Sequence, residues 1–223
     1  MERRFERELE SLKTNLAKMG SIAEESLGIA LKALLSKDEA LARRVFVMED
    51  KINMMEMEID TAIIDLLALK QPVAGDLRFI IATQKINNDL ERVGDHAVNI
   101  AESALTLQRL SAVTIPSEIH QMVEIARTML KEALDSFILV DSALAHTVLR
   151  TDDQIDDLNR AMVQHVIEQV ESQALTIEGG LELIRISRNL ERIGDLSTNI
   201  AEDVIFETEA RVVKHRAEQK DGN

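Results

Sequence analysis

The sequence contains a segment that occurs twice, 100 residues apart, and this repeat limits the fold more than any other feature. Residues 90–102 and 190–202 are identical at 9 of 13 positions. An earlier segment, 19–52, aligns with 122–155 at an offset of 103. The three-residue difference falls where a loop can absorb it, between the second and third predicted helices of each half. The chain is therefore a tandem duplication of one unit.

Apolar residues recur at three- and four-residue steps along almost the whole chain, which is typical of amphipathic helices. Two Pro and eight Gly in 223 residues are too few for a β-rich fold. The spacing predicts six long helices, over residues 5–36, 39–70, 74–108, 117–140, 142–172 and 178–212. Because the loops are short, neighbouring helices should be antiparallel. The predicted fold is all-α, with two tandem three-helix bundles related by internal duplication.

The repeat also predicts the domain boundaries. We expect the first bundle over residues 1–112, the second over 113–213, and a frayed polar tail over 214–223. Ser36 and Glu39 have the spacing of a capping box, and Ser117 is the expected N-cap of the fourth helix. The Gly179–Gly180 pair is the expected turn before the sixth helix.

The composition excludes several classes of protein. A formal net charge of −14 argues against binding to nucleic acid or to an anionic membrane surface. The absence of Cys excludes disulfides, thiolate catalysis and Cys-type metal sites. No apolar run approaches the ~18 residues of a membrane-spanning helix, and the N-terminus has no apolar signal core. These observations predict a cytoplasmic protein that is not inserted in a membrane.

The repeated segment places oxygen-bearing side chains on one side of a helix. With Glu91 at zero, Asp95 lies at about 40°, Asn99 at about 80° and Glu102 at about 20° around the helix axis. The apolar residues of this segment lie on the opposite side. The second copy has the same pattern, with Glu191, Asp195, Asn199 and Glu202. We expect a narrow ridge that points away from the apolar stripe of its own helix.

Two interpretations of the ridge stay open on spacing alone. Carboxylates four residues apart repel each other, and mid-helix Gly94 and Gly194 each cost about 1 kcal/mol relative to Ala. Bound hard cations would turn that repulsion into coordination. Alternatively, the acidic residues are a solvated surface and the glycines let a neighbouring helix approach closely.

Other candidate ligands lie on the second helix of each half. Glu49 and Asp50 align with Asp152 and Asp153, and Glu56 and Asp60 have carboxylate spacing of four residues. Among the His residues, His96 adjoins the ridge, but Leu196 replaces it in the second copy, which argues against a ligand role. Arg92 and Arg192 are expected to form local ion pairs.

These motifs resemble those of the PhoU family of phosphate-transport regulators. The resemblance rests on Leu-Glu-Arg-Val-Gly-Asp at 90–95 and Leu-Glu-Arg-Ile-Gly-Asp at 190–195, each followed by Asn-Ile-Ala-Glu. It also rests on Asn-Met-Met-Glu at 53–56 and on Gln71-Pro72 with Asp76-Leu77-Arg78. It covers nearly the whole chain, in both halves and in order.

The resemblance implies a cytoplasmic adaptor that is not an enzyme. Such proteins repress phosphate uptake and the phosphate-starvation response by linking the ATPase of the phosphate ABC transporter to a sensor histidine kinase. Some members bind metal clusters through Glu/Asp-x-x-x-Asp motifs. Carried over, this implies a divalent or trivalent metal (Fe, Mn, Mg or Zn) held by Glu91, Asp95, Glu191 and Asp195, with Asn99, Asn199, Asp50 and Asp153 as further ligands. The halves differ at Asn88/Arg188 and His96/Leu196, so the two sites are expected to differ in nuclearity or occupancy.

Two other functions stay open. A carboxylate-bridged metalloenzyme is disfavoured because di-iron bundles use Glu-x-x-His on inward faces, and none of the five His here follows that pattern. A metal-free helical scaffold is the other alternative. The oligomeric state is open as well, with a homodimer among the options.

Overall fold

In the part of the chain that the structure describes, six helices follow one another in the predicted order. The computed structural model describes residues 2–110 and 113–213, and no β-strand occurs within those ranges. The helices are α1 (Glu2–Ser36), α2 (Glu39–Lys70), α3 (Ala74–Arg109), α4 (Ser117–Leu139), α5 (Ser142–Glu171) and α6 (Ile177–Glu209). The all-α prediction is confirmed. The predicted boundary after residue 112 and the predicted tail over 214–223 lie outside the described residues.

The turns before α2 and α5 are built alike in the two repeats. Lys37 and Val140 both adopt the left-handed backbone conformation, with φ of 53° and 56°. The next residues, Asp38 and Asp141, are N-caps whose carboxylates accept two backbone hydrogen bonds each, at 2.9 and 3.1 Å. The capping box predicted at Ser36 is wrong, because Ser36 still belongs to α1 and Asp38 provides the cap.

Two other predicted helix starts also need correction. Pro116 is the N-cap of α4, and Ser117 is the first helical residue rather than the cap. Gly179 and Gly180 lie buried in the first turn of α6 instead of forming the preceding turn. There Thr176 is the N-cap, and its hydroxyl accepts a hydrogen bond from the Gly179 backbone N–H at 3.1 Å. The pair is buried because Val166 and Leu175 pack against it.

The two bundles share one core. The buried apolar side chains of all six helices form a continuous cluster. Within the described ranges, α2 packs against α1 and α3 alone and α5 against α4 and α6 alone, whereas α3 packs on α6 and α1 on α4 across the two repeats. The α1–α4 approach is close at Gly20, where an added Cβ would lie 2.6 Å from Leu134 Cδ2.

The central pair of helices, α3 and α6, runs antiparallel. Near the start of α3, Lys85 Nζ donates to Asp203 Oδ1 at 2.6 Å. Towards its end, Arg185 Nη2 donates to Asn99 Oδ1 at 2.8 Å. The repeats are thus related by an approximate two-fold axis that passes between α3 and α6. This arrangement leaves α2 and α5 as the outer helices, each beside one copy of the Glu-Arg-x-Gly-Asp motif.

None of the described helices combines the length and the apolar composition that crossing a bilayer requires.

Candidate functional site

A group of carboxylates lies between α2 and α3 in the first repeat. We call Glu49, Glu56, Glu91 and Asp95 the first cluster. Burial, followed by the charges of Asp95, Glu56 and Glu49, raises the pKa of Glu91. Burial and the charges of Asp60 and Asp95 likewise raise the pKa of Glu56. Carboxylates of α2 and α3 therefore lie close enough to raise each other's pKa.

The second repeat holds a tighter group between α5 and α6. We call Asp152, Asp156, Glu191 and Asp195 the second cluster. One oxygen from each of Asp156, Glu191 and Asp195 lies within 4.8 Å of the others. All three side chains are half-buried. The spacing is that of carboxylates which could share a cation, because carboxylate oxygens are the ligands of hard metals.

Electrostatic repulsion is strong in the second cluster. Burial and the charges of Asp156 and Asp195 raise the pKa of Asp152 from 3.8 to about 6. Burial and Asp195 raise the pKa of Glu191, although Arg192 opposes the shift. In addition, Oδ1 of Asp152 is buried and accepts no hydrogen bond from any described residue. This oxygen is therefore an unsatisfied hydrogen-bond acceptor among like charges.

The arginines of the repeated motif have different ion-pair partners in the two repeats. Arg192 donates to Asp195 at 2.8 Å and lies 3.6 Å from Glu191, so it partly neutralises the second cluster. Its counterpart Arg92 contacts Asp89 instead, at 3.5 Å. The predicted local ion pairs are confirmed. Among the residues that the structure describes, no ion pair reaches any member of the first cluster.

The glycines of the motif mark close helix contacts. A Cβ added to Gly94 would lie 3.0 Å from Ile52 of α2, and one added to Gly194 would lie 3.0 Å from Ile155 of α5. The close-approach interpretation of these glycines is therefore confirmed. The same approach brings the motif carboxylates near those of the outer helix.

The predicted ridge is divided between two contacts, contrary to expectation. Glu91 and Asp95 turn towards α2. Asn99 and Glu102 instead contact α6, where both accept hydrogen bonds from Arg185, at 2.8 and 2.5 Å. The cause is that α3 packs against α2 on one side and against α6 on another.

The corresponding asparagine of α6 also takes part in the contact between the bundles. Asn199 lies near the carboxylate of Asp89 in α3 and lowers its pKa, against the larger effect of burial. The structure therefore brings neither Asn99 nor Asn199 into the two carboxylate clusters.

On α2 and α5, the predicted ligands lie one residue after the carboxylates that actually face the clusters. Asp50 and Asp153 are exposed, whereas Glu49 and Asp152, immediately before them, face the motif carboxylates. Asp156 was missed by the sequence analysis altogether. It could have been found, because it lies four residues after Asp152 and directly follows a core position of α5.

His96 belongs to the contact between the bundles. Its Nδ1 lies 2.8 Å from Oδ1 of Asn189 in α6. Burial lowers the pKa of His96 and favours the neutral ring. This geometry gives the histidine a partner outside the first cluster.

Fold and site together define a class: a duplicated helical-bundle protein whose repeats each bring carboxylates from two neighbouring helices together. The model of the PhoU domain matches residues 16–104 and 119–204. The chain belongs to the PhoU family.

Relatives in sequence and structure span nearly the whole chain. It is 35% identical over 203 residues to the phosphate-specific transport system accessory protein PhoU homolog of Clostridium acetobutylicum, covering 91% of this chain and 93% of that one. The crystal structure of PhoU from Pseudomonas aeruginosa superposes with a TM-score of 0.90 at 35% identity, covering 93% of this chain and 100% of that one. That of the phosphate transport system regulatory protein PhoU from Streptococcus pneumoniae gives 0.88 at 31% identity, covering 95% and 100%.

Proposed function

We propose that this chain is a regulatory accessory protein of a phosphate transport system. In this role it represses phosphate uptake and the phosphate-starvation response, in the cytoplasm, by linking the transporter ATPase to a sensor histidine kinase. The observation that carries the proposal is the PhoU-domain match in both repeats, supported by relatives named for the same role. In the proposed role the chain acts by binding other proteins and does not convert a substrate.

The proposal includes cation binding at the two clusters. Oxygen donors from neighbouring helices, raised carboxylate pKa values and the buried unsatisfied oxygen of Asp152 all fit a hard cation. The proposed ligands are Glu49, Glu56, Glu91 and Asp95 in the first cluster, and Asp152, Asp156, Glu191 and Asp195 in the second. A bound Fe, Mn, Mg or Zn ion would supply positive charge that cancels the repulsion and ties α2 to α3 and α5 to α6.

The regulatory role is tested by deleting the gene and restoring it on a plasmid. A reporter fused to a phosphate-scavenging gene should be silent in high phosphate when the chain is present and active when it is absent. Phosphate starvation should activate the reporter in both strains, which controls for its integrity. Unchanged repression in the deletion strain would contradict the proposed function.

Cation binding is tested by elemental analysis of protein prepared without chelators. The double variant Asp156→Asn/Asp195→Asn should lose the metal of the second cluster. The matched control Asp153→Asn/Asp157→Asn removes two exposed carboxylates of α5 and should keep it. Equal metal content in both variants would contradict the ligand assignment, and a wild-type protein without metal would favour a metal-free scaffold. Hydrolysis of phosphate esters or oxygen activation by the metal-loaded protein would instead favour a metalloenzyme.

A further inference from the structure

The outer face of α2 carries an apolar stripe that no described part of the chain covers. The stripe consists of Val47, Met54, Met57 and Ile64, which are 58, 57, 61 and 64% exposed. Their spacing of seven, three and seven residues puts them on one side of the helix. Because α2 packs against α1 and α3 alone within the described ranges, this side faces outward.

The second repeat shows that the fold does not need this stripe. At the offset of 103, Val47, Met54 and Met57 align with Arg150, Asp157 and Arg160 of α5. Arg160 and Asp157 form an ion pair with each other on the equivalent outer face. Since the two repeats pack alike, core packing does not explain apolar residues at these positions of α2.

The charges beside the stripe limit what can cover it. Glu58 and Asp65 are exposed along one edge of the stripe. At the other edge, Asp60 is half-buried and accepts hydrogen bonds from Gln84 and Asn87 of α3. Between residues 52 and 69 the sequence has no Lys or Arg. A second copy of this chain would bring the same acidic edge, and an anionic membrane surface would be repelled. Complementarity favours an apolar surface bordered by positive charge.

We propose that the stripe binds one amphipathic helix of a partner protein, with its apolar face on Met54, Met57 and Ile64 and with Lys or Arg facing Glu58 and Asp65. Two helices can pack side by side when apolar residues recur at three- and seven-residue steps, as they do here. Methionine side chains are flexible and polarisable, which suits a surface that accommodates a partner. The proposal rests on the adaptor function for its biological role, but it does not depend on metal at either cluster.

The experiment measures binding of a fluorescent synthetic helix of about 20 residues, with Leu at heptad spacing and Lys beside it. A second peptide carries Glu in place of each Lys. The test variant Met54→Asp/Met57→Arg introduces the α5 residues into α2 and leaves the net charge unchanged. The matched control, Ile167→Gln, alters the outer face of α5 at the position that aligns with Ile64. Met57→Gln is a milder second test of the stripe.

We expect the Lys peptide to bind the wild type and Ile167→Gln equally, and to bind the double variant roughly tenfold more weakly or worse. The Glu peptide should not bind. Equal binding to the double variant would overturn the proposal. It would also be overturned if the double substitution abolished a wild-type dimer or binding to lipid vesicles, which would assign the stripe to a second copy or to a membrane. Normal peptide binding with failed reporter repression would contradict the proposed function alone.

Discussion

At the scale of single residues, the fold holds four carboxylates of the second cluster close enough to repel one another. Asp152 and Asp156 from α5 are held beside Glu191 and Asp195 from α6, and the pKa of Asp152 rises to about 6 through burial and these neighbours. Near neutral pH the ionised Asp152 therefore destabilises the folded state relative to the unfolded chain. This repulsion is what a bound cation would relieve.

The raised pKa predicts how stability depends on pH. Since the folded state holds the Asp152 proton more tightly than the unfolded state, stability falls as pH rises from about 4 to 6. In chelator-treated protein at pH 7, Asp152→Asn should raise the free energy of unfolding by about 1 kcal/mol, a value reduced for solvent screening. Below about pH 4 the difference should vanish. Urea denaturation across this range measures it, and a larger gain from the exposed control Asp153→Asn would contradict the account.

Val140 supplies a second prediction at this scale. It is a β-branched residue with a φ of 56°, which glycine adopts at much lower cost. Val140→Gly should therefore raise the free energy of unfolding by about 1 kcal/mol. The control Ile138→Gly, two residues earlier within α4, should lower it by a similar amount. Thermal unfolding of both variants checks the pair, and destabilisation by Val140→Gly would refute the strain argument.

The residues of the site could be predicted only in part. Glu91, Asp95, Glu191 and Asp195 were identifiable because the motif recurs at matching positions. On the outer helix, one residue changes the side chain's direction by about 100°, so Asp153 was chosen where Asp152 faces the cluster. The inter-bundle role of Asn99 was not visible, because it depends on Arg185 from the other repeat.

At the scale of helices, the motif glycines determine how near each central helix comes to its outer neighbour. Gly94 and Gly194 are buried against Ile52 and Ile155, with no room for a methyl group at ordinary contact distance. The intrinsic cost of glycine in a helix is thus offset by close packing. That packing brings the carboxylates of α2 towards α3 and those of α5 towards α6.

Alanine substitution distinguishes the packed glycines from an unpacked one. Gly28 lies in α1 with nothing within 4 Å of an added Cβ, so Gly28→Ala should stabilise the protein by roughly 0.5–1 kcal/mol. Gly194→Ala should lose that gain, because Ile155 lies 3.0 Å from the added atom, and should lower the free energy of unfolding below that of the wild type. Chemical denaturation measures both. Equal stabilisation by the two substitutions would contradict the close-contact explanation.

Helices were the most predictable level of this structure. A three- to four-residue apolar period persists through each of them, so the predicted ends differ from the observed ones by three residues or fewer. The caps were less predictable. Ser117 and the Gly179–Gly180 pair have the composition of helix boundaries, but all three are helical. The glycine pair is packed against Val166 and Leu175, whereas Ser117 is exposed and directly follows the N-cap Pro116.

At the scale of the whole molecule, the duplicated bundles behave as one packed body. The core runs through all six helices, and α3 and α6 are joined by the Lys85–Asp203 and Arg185–Glu102 ion pairs. The repeat predicted two bundles, but not how they meet. The pairing of α3 with α6 depends on side chains that differ between the repeats, such as His96 and Leu196.

The continuous core predicts one cooperative unfolding transition. Calorimetry should give a calorimetric enthalpy equal to the van't Hoff enthalpy, as expected for a single unit. Leu134→Ala, at the α1–α4 contact, should lower the melting temperature of that single transition by several degrees, because removing a buried Leu side chain costs about 2–5 kcal/mol. Two separate transitions in the wild type would show that the bundles fold independently.

The central claim, that this PhoU-family chain links a phosphate transporter to a sensor kinase, is tested most directly by affinity purification from cells grown in high and in low phosphate. Quantitative mass spectrometry of the retained proteins should find both the transporter ATPase and the histidine kinase, with recovery that changes with phosphate. Recovery of neither protein under either condition would contradict the claim.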